Sequence, residues 1–137
     1  MQKATDVRAV AASLYFLPLA LRVPLKFGAE TLTSVTCARA CVHVQDGSGR
    51  RAEGWGETPL SVQWVWPSAL PYEERHRALK DFTVRLAASW AGFEERGHPL
   101  EIGNAFLEGL LPSLWRDSGN DVVDNLVVDV VFALITP

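Results

Sequence analysis

The segment TSVTCARACVHVQ at residues 33–45 constrains the fold most, because its side chains alternate between two chemical classes. The even positions from 38 to 44 are small or apolar, whereas the odd positions carry Cys37, Arg39, Cys41 and His43. Alternation with a period of two, in a segment rich in β-branched residues, predicts a β-strand with one buried face. The sequence DGSG at 46–49 follows and predicts a hairpin turn, because glycine adopts positive φ without strain. The strand therefore has an antiparallel partner directly after it.

Two further strands are predicted beside this one, which makes a three-stranded meander. Residues 51–58 return from the turn as the third strand, and residues 13–22, SLYFLPLALR, form the first. Pro18 suits an edge strand or a bulge better than a central strand, because proline has no N–H to donate to a second neighbour. The segment VPLKFGAETLTS, which begins at Val23, contains a proline, a glycine and several hydroxyl side chains. That composition predicts a loop, and residues 1–12 are predicted to be a flexible leader.

After the third strand the apolar period changes from two to three or four, which predicts helices. Apolar side chains recur at these steps through residues 71–91, as an amphipathic helix requires, and Pro71 suits its first turn. A second helix is predicted over residues 99–115, with Glu101 near its positive end and Pro112 as a kink or a stop. The sequence thus predicts an α+β fold, in which a three-stranded antiparallel β-meander precedes a small helical bundle.

Residues 117–137 do not continue this pattern. The sequence DSGND is typical of a loop, whereas VVDNLVVDVVFALITP is compatible with either a buried strand or a short helix. The chain reaches Pro137 without the polar tail that usually finishes a domain. We therefore expect this segment to be atypical, as a truncation would be.

Charge and hydropathy narrow the class of protein. The formal net charge of −3, with basic residues scattered along the chain, argues against nucleic acid and membrane surfaces as partners. The apolar run near the N-terminus is interrupted by Pro18 and followed by Arg22, without a signal-peptide cleavage site. The C-terminal run LVVDVVFALI is too short to span a bilayer and contains Asp129. We expect a cytoplasmic globular protein.

The two cysteines are not expected to form a disulfide. Cys37 and Cys41 are four residues apart on a predicted strand, a separation of about 13 Å at about 3.3 Å per residue. A disulfide needs Cα atoms within about 7 Å of each other, so both thiols are expected to be reduced. No zinc site is predicted, because the three histidines, His43, His76 and His98, are far apart in the sequence.

The segment GWGETPLSVQWVWP at 54–67 holds three of the five tryptophans in a context rich in turn residues. Exposed together, three indoles would form an adhesive patch, so they either pack into the core or cover something else. Both alternatives stay open for Trp55, Trp64 and Trp66. Glu57 lacks a carboxylate partner in the sequence, which favours a hydrogen bond to a nearby backbone amide over a role in catalysis.

The ordered combination of these elements resembles the N-terminal capping domain of the enolase superfamily, in the mandelate racemase and muconate-lactonizing branch. The matching residues are VPLKFGAETLTSVTCARACVHVQDGSGRRAEGWGETPL at 23–60, followed by the helix from Tyr72. The resemblance extends over residues 14–115, about three quarters of the chain. DGSGRRAEGWGE alone is moderately specific. The segment from Asp117 departs from the family, where a longer helical connection leads into a (β/α)₈ barrel.

The resemblance implies a division of labour between two domains. In that superfamily the barrel binds Mg²⁺ on three carboxylates and supplies the lysine or histidine base that removes a proton α to a carboxylate, in isomerases and lyases. The capping domain closes two loops over the substrate, and these map to residues 26–32 and 55–66 here. A barrel takes about 250 residues. The 137-residue chain is therefore not expected to turn over substrate alone, and Mg²⁺ is implied only for a full-length relative.

The resemblance implies lid residues in the two loops, namely Phe27, Glu30, Thr31, Trp55, Glu57, Trp64 and Trp66. For the three in the first loop the alternative is an ordinary polar loop, because most loop residues carry no function. No catalytic residue and no metal ligand is predicted in the chain itself. The implied partner is the barrel domain, and a homo-oligomer is compatible with the sequence. The alternative function is a small non-catalytic α+β binding or protein-interaction domain. A self-contained enzyme would need convergent polar groups that the sequence does not indicate.

Overall fold

The computed structural model describes residues 3–28, 30–66 and 69–117. Three strands are followed by helices, which confirms the predicted α+β class. The elements are β1 (Val7–Phe27), β2 (Glu30–Asp46), β3 (Arg51–Pro59), α1 (Val62–Val65), α2 (Tyr72–Ala91), α3 (Pro99–Ala105) and α4 (Leu111–Asp117), with a π-helical turn (Phe106–Leu110) joining α3 to α4. None of the described helices is long and apolar enough to cross a membrane. The predicted tail lies outside the described residues beyond Asp117.

The sheet has the order β1-β2-β3, and both neighbouring pairs are antiparallel. The predicted meander is therefore present, with β2 at its centre. Pro18 lies on the edge strand β1, opposite Thr36, as its missing N–H requires. The register places Arg39 between Tyr15 of β1 and Glu57 of β3. Because side chains alternate along a strand, these three residues share one face of the sheet.

The turn between β2 and β3 is organised by one carboxylate. Asp46 Oδ1 accepts from the Ser48 N–H at 2.8 Å, the Ser48 hydroxyl at 2.7 Å and the Arg50 N–H at 3.0 Å. Asp46 Oδ2 accepts from Arg50 Nε at 2.8 Å, and Gly49 adopts φ 87°. The hydrogen bond from the Ser48 side chain, together with those from Arg50, lowers the pKa of Asp46 to about 2. The DGSG sequence thus fixes the register of the hairpin.

The predictions for the first strand and its loop need correction. β1 begins at Val7, so half of the predicted leader is strand, paired through Val7 with both Asp46 of β2 and Gly97 before α3. The predicted loop from Val23 is also mostly strand, because pairing with β2 satisfies its backbone groups on both sides of a tight turn at Gly28 (φ 56°). Pro24 falls in a register shift between β1 residues 20 and 25, where the regular ladder is interrupted.

This pairing creates a projecting hairpin. The last pair between β2 and β3 is Cys37 with Pro59, so residues 18–28 and 30–36 extend beyond the end of β3. We call these residues the hairpin arm. From Cys37 to Glu30 its length is about 23 Å, at about 3.3 Å per residue.

The helices bury one face of the sheet. α2 presents a stripe of Leu79, Phe82, Leu86 and Trp90 at the predicted helical spacing, and Val42 of β2 packs against the same core. Phe106 of the π-helical turn stacks on Trp90 with ring centroids 4.2 Å apart. The π-helical turn precedes Pro112, and Leu111 N–H donates to the Phe106 carbonyl across it. The helix therefore absorbs Pro112 and continues to Asp117 instead of ending.

Candidate functional site

The sheet face opposite the helices carries the polar and aromatic side chains that the strand alternation predicts. We call it the open face, and it is defined by Tyr15, Arg39, Cys41, His43, Glu53, Trp55 and Glu57. Tyr15 and Trp55 are about half exposed, at 50% and 52%. Its residues face one another across three strands because the register pairs Arg39 with Tyr15 and Glu57, Cys41 with Trp55, and His43 with Glu53.

One part of the open face is an ion pair. Arg39 Nε donates to Glu57 Oε2 at 2.5 Å, and both side chains are partly exposed. A shallow cleft of about 340 Å³ is lined by these two residues with Trp55 and Gly56. The expectation that Glu57 bonds a backbone amide is therefore wrong, because the register places a guanidinium directly opposite its carboxylate. Such a pair, partly in water, contributes little to stability and leaves both groups available to a polar ligand.

The tryptophans of the predicted second lid segment separate into different environments. Trp55 stacks on Tyr15 of the open face, with centroids 6.1 Å apart. Trp66 is only 7% exposed and packs edge-on against Trp115 of α4 at 6.3 Å. Its carbonyl accepts from Arg75 Nη1 of α2 at 2.7 Å, which ties the connection after β3 to the helix. In this structure Trp66 belongs to the core. The side chain of Trp64 lies outside what the structure describes.

The predicted first lid segment is the tip of the hairpin arm instead of a loop. Glu30 and Thr31 open β2, are exposed, and pair with Phe27 and Lys26 of β1. The side chain of Phe27 lies outside what the structure describes. The second segment continues from the same end of the sheet, since the Leu60 N–H donates to the Thr36 carbonyl at 2.8 Å. The arm and the β3–α2 connection therefore leave the sheet together, although the tip extends well beyond that point.

Three potential metal ligands converge elsewhere on the open face, and the sequence reasoning did not predict them. Cys41 Sγ lies 3.8 Å from His43 Nε2 and 3.9 Å from Glu53 Oε2, and His43 Nδ1 lies 3.9 Å from the same carboxylate oxygen. The residue Cys41 is 1% exposed, whereas His43 and Glu53 are open to solvent. Burial, followed by the charge of Glu53, raises the pKa of the Cys41 thiol.

A signal for this cluster was present in the sequence. Cys41 and His43 are two apart, so they share a face of the strand. The tight DGSG turn pairs Gln45 with Arg51. Two residues further from the turn along each strand, His43 lies opposite Glu53. Searching for ligands along one strand misses the third member, because that member comes from across the turn.

The cluster does not fit the magnesium that the resemblance implies. Mg²⁺ prefers an octahedral shell of oxygen ligands, commonly carboxylates and water. Within residues 3–28, 30–66 and 69–117, the candidate metal ligands that lie close together in a group of three are Cys41, His43 and Glu53. This group contains a single carboxylate. A thiol and an imidazole suit a softer cation.

The two remaining histidines have structural surroundings. His98 precedes α3, where its Nδ1 accepts from the Leu100 N–H at 3.3 Å, and Glu101 accepts from the His98 N–H at 3.1 Å. This capping box agrees with the prediction of a helix start. His76 stacks on Tyr72 of α2 at 5.5 Å, and burial lowers the pKa of its imidazole.

A second, largely apolar cleft of about 360 Å³ lies between the helix-facing side of the sheet and α3. Val7, Val44, Trp90 and Ile102 contribute to its walls, and Glu53 of β3 is also among the lining residues. Its size and lining are those of a small-molecule pocket, but the described residues place few polar groups inside it to orient a ligand.

No family model and no curated protein matches this chain. Among solved structures, the substrate-liganded complex of the L-Ala-D/L-Glu epimerase from Bacillus subtilis is similar, with 23% sequence identity and a TM-score of 0.34. The match covers 54% of this chain and 20% of the epimerase, so the chain spans about a fifth of that enzyme's length. A likeness at this level does not place the chain in a family.

Proposed function

We propose that this chain is the capping domain, or a fragment containing the capping domain, of a magnesium-dependent enolase-superfamily enzyme that removes a proton α to a carboxylate. The observation that supports it is the relation between the sheet and its two outgoing segments. A three-stranded antiparallel meander sends out the hairpin arm and the β3–α2 connection from the same end, and helices follow.

The geometry suits a lid supported by a rigid base. The sheet and helices share one hydrophobic core, whereas the arm carries exposed polar residues at its tip, Glu30 and Thr31. Specificity residues work best when a packed scaffold positions a projecting segment. Under this proposal Glu30, Thr31 and the backbone at Phe27 meet the substrate's side chain. Trp55 and Glu57 lie on the last strand before the second segment.

The tryptophans of the second segment then divide their roles. Trp66 anchors the connection from inside, through its packing on Trp115 and its carbonyl bond to Arg75. Trp64 lies in α1 of the same connection and remains a candidate for substrate contact through its position alone. Such a lid selects a substrate and excludes water from it. The partner domain of the full enzyme would supply the base and the carboxylates for Mg²⁺.

The test is exchange of the α-proton for deuterium. The 137-residue chain and the protein expressed from the reading frame extended beyond Pro137 are each incubated in D₂O with Mg²⁺ and a panel of small carboxylic acids and dipeptides. NMR then follows loss of the α-proton signal. We expect the shorter chain to catalyse no exchange. We expect the extended reading frame to encode a Lys-x-Lys pair and three spaced acidic residues, and its protein to catalyse exchange. Magnesium-dependent exchange by the shorter chain, or an extended frame without these residues, would contradict the proposal.

The second candidate function is a non-catalytic binding domain. The exposed stack of Tyr15 on Trp55 beside the Arg39–Glu57 pair favours it, because aromatic residues and arginine are enriched in binding surfaces. The same exchange experiment separates the two functions, because a non-catalytic binding domain predicts no α-proton exchange from either protein.

A further inference from the structure

We propose that Cys41, His43 and Glu53 bind a zinc ion on the open face of the sheet. Their ligand atoms all lie within 4.8 Å of one another. Cys41 Sγ lies 3.8 Å from His43 Nε2 and 3.9 Å from Glu53 Oε2, and His43 Nδ1 lies 3.9 Å from the same oxygen. The site is separate from the magnesium of the proposed enzyme, and it does not depend on the proposed function.

The spacing is close to that of a tetrahedral zinc shell. With Zn–S near 2.3 Å and Zn–N or Zn–O near 2.0–2.1 Å, neighbouring ligand atoms around tetrahedral zinc are about 3.3–3.6 Å apart. The separations of Cys41 Sγ from His43 Nε2 (3.8 Å) and from Glu53 Oε2 (3.9 Å) exceed these by a few tenths of an ångström. Glu53 Oε2 lies 3.9 Å from the other imidazole nitrogen, Nδ1, so coordination through a single nitrogen requires side-chain rotation within the 4.8 Å that encloses the three ligand atoms. His43 and Glu53 are partly exposed, which leaves their side chains space to rotate.

The backbone brings the three ligands together by two simple relations. Cys41 and His43 are separated by one residue on β2, so both side chains leave the same face of the strand. Glu53 is the direct partner of His43 on β3, in a hairpin whose register is fixed by the Asp46 turn. The backbone register therefore places all three side chains in one region of the open face.

A hydrogen bond outside the cluster orients the carboxylate. The Trp55 indole N–H donates to Glu53 Oε1 at 3.3 Å, while Oε2 is the oxygen that lies near Cys41 and His43. Partners of this kind fix the direction of metal ligands and are a regular feature of metal sites. Trp55 is itself held by its stack on Tyr15.

The donor set identifies the class of metal. Zn²⁺ is bound by thiolate, imidazole and carboxylate, whereas Mg²⁺ and Ca²⁺ take oxygen ligands. On binding, the Cys41 thiol releases its proton to solvent and the sulfur donates an electron pair to the metal. Three protein ligands leave a fourth position, which water fills from the solvent side where His43 and Glu53 are exposed.

The experiment uses the full 137-residue chain, reduced with a non-thiol reductant and freed of metal. Zinc alone is titrated in competition with a chromophoric chelator, and cobalt(II) is used in parallel to detect a thiolate-to-cobalt charge-transfer band. We expect one zinc per chain. Loss of any one ligand should weaken zinc binding by about 100-fold or more, in Cys41→Ser, His43→Gln and Glu53→Gln. Removing residues that only hydrogen-bond to metal ligands already changes metal affinity by about 10–100-fold.

The matched controls are Cys37→Ser and His76→Gln. Cys37 is a buried thiol on the same strand and the same face, four residues from Cys41, and it is not part of the cluster. Both controls should bind zinc as the wild type does, and the cobalt band should disappear in Cys41→Ser while remaining in Cys37→Ser. Circular dichroism reports whether each variant is folded.

If Cys41→Ser does not fold, the exposed ligands His43 and Glu53 decide the question through their own variants. The proposal is overturned if the folded wild type binds no zinc in the presence of the chelator. It is also overturned if His43→Gln and Glu53→Gln bind zinc as tightly as the wild type, or if Cys37→Ser is weakened as much as Cys41→Ser.

Discussion

Trp55 connects two features of the open face through different parts of one side chain. Its ring stacks on Tyr15, and its indole N–H donates to Glu53 Oε1. The sequence alone presented this residue as either a lid or a packing residue, and those alternatives describe the ring. The N–H donates to Glu53, two positions earlier on β3. The two side chains share a face because side chains alternate along a strand.

Trp55→Phe tests the orienting role, because phenylalanine retains an aromatic ring to stack on Tyr15 but has no N–H to donate to Glu53. We expect zinc affinity to fall by about tenfold or more, with a stoichiometry still of one, because Glu53 then samples orientations that point away from the metal. The chelator competition measures it. Tyr15→Phe, which retains the other half of the stack, is the control and should bind zinc normally. Equal affinities in both variants would mean that Trp55 does not position Glu53.

At the scale of elements, the β2–β3 hairpin was predictable and the hairpin arm was not. The alternation at 33–45 and the DGSG turn are local signals, and each fixes structure within a few residues. The arm depends on pairing between β1 and β2, with Leu25 opposite Leu32 and Lys26 opposite Thr31. The loop-like composition did not prevent this pairing, because the edge strand β1 satisfies its backbone groups by hydrogen bonding to the central strand β2.

The same distinction explains the candidate site. Arg39 and His43 were placed correctly on one face from the alternation alone. Their partners Glu57 and Glu53 come from β3, so the ion pair and the metal cluster require the register as well as the period. The register was available in principle from the DGSG turn, whereas the burial of Trp66 depends on α4 and could not be derived from the segment around it.

The Asp46 turn gives a prediction for the hairpin. Asp46→Ala removes four hydrogen bonds of the turn and should lower the Tm of the chain near neutral pH. The pKa of Asp46 is lowered from 3.8 to about 2 by folding. The carboxylate therefore stabilises the fold above about pH 4, and that contribution is lost as pH falls towards about 2.

Thermal melts of both proteins across this range measure the effect, and the gap in Tm between wild type and Asp46→Ala should narrow as the solution is acidified. Asp81→Ala, on the exposed side of α2, is the control. A gap that widens on acidification would contradict the assignment of the turn's stability to the ionised carboxylate.

At the scale of the whole molecule, one core joins the sheet to each described helix that is longer than a single turn. Val42 of β2, Phe82 of α2 and Ile102 of α3 belong to the same buried cluster, with Trp115 of α4 packing edge-on against Phe82 at 4.7 Å. A shared core makes the described part of the chain a cooperative unit. Among the described residues, those of the hairpin arm and the open face are not members of this cluster.

Phe106 is a core residue that contacts two other aromatic rings. It is fully buried, stacks on Trp90 with an interplanar angle of 3°, and meets Phe93 edge-on at 5.2 Å. Phe106→Ala should therefore reduce the free energy of unfolding by about 3–5 kcal/mol, through lost burial and the cavity left behind. That is a large share of the roughly 5–15 kcal/mol that stabilises an ordinary domain.

Urea unfolding, followed by tryptophan fluorescence and circular dichroism together, measures the loss and tests whether sheet and helices unfold in one transition. Leu100→Ala, at a position 76% exposed on α3, should cost little and serves as the control. A loss below about 1 kcal/mol for Phe106→Ala would contradict its role in the core. Separate transitions for the two probes in the wild type would mean that sheet and helices do not unfold as one cooperative unit.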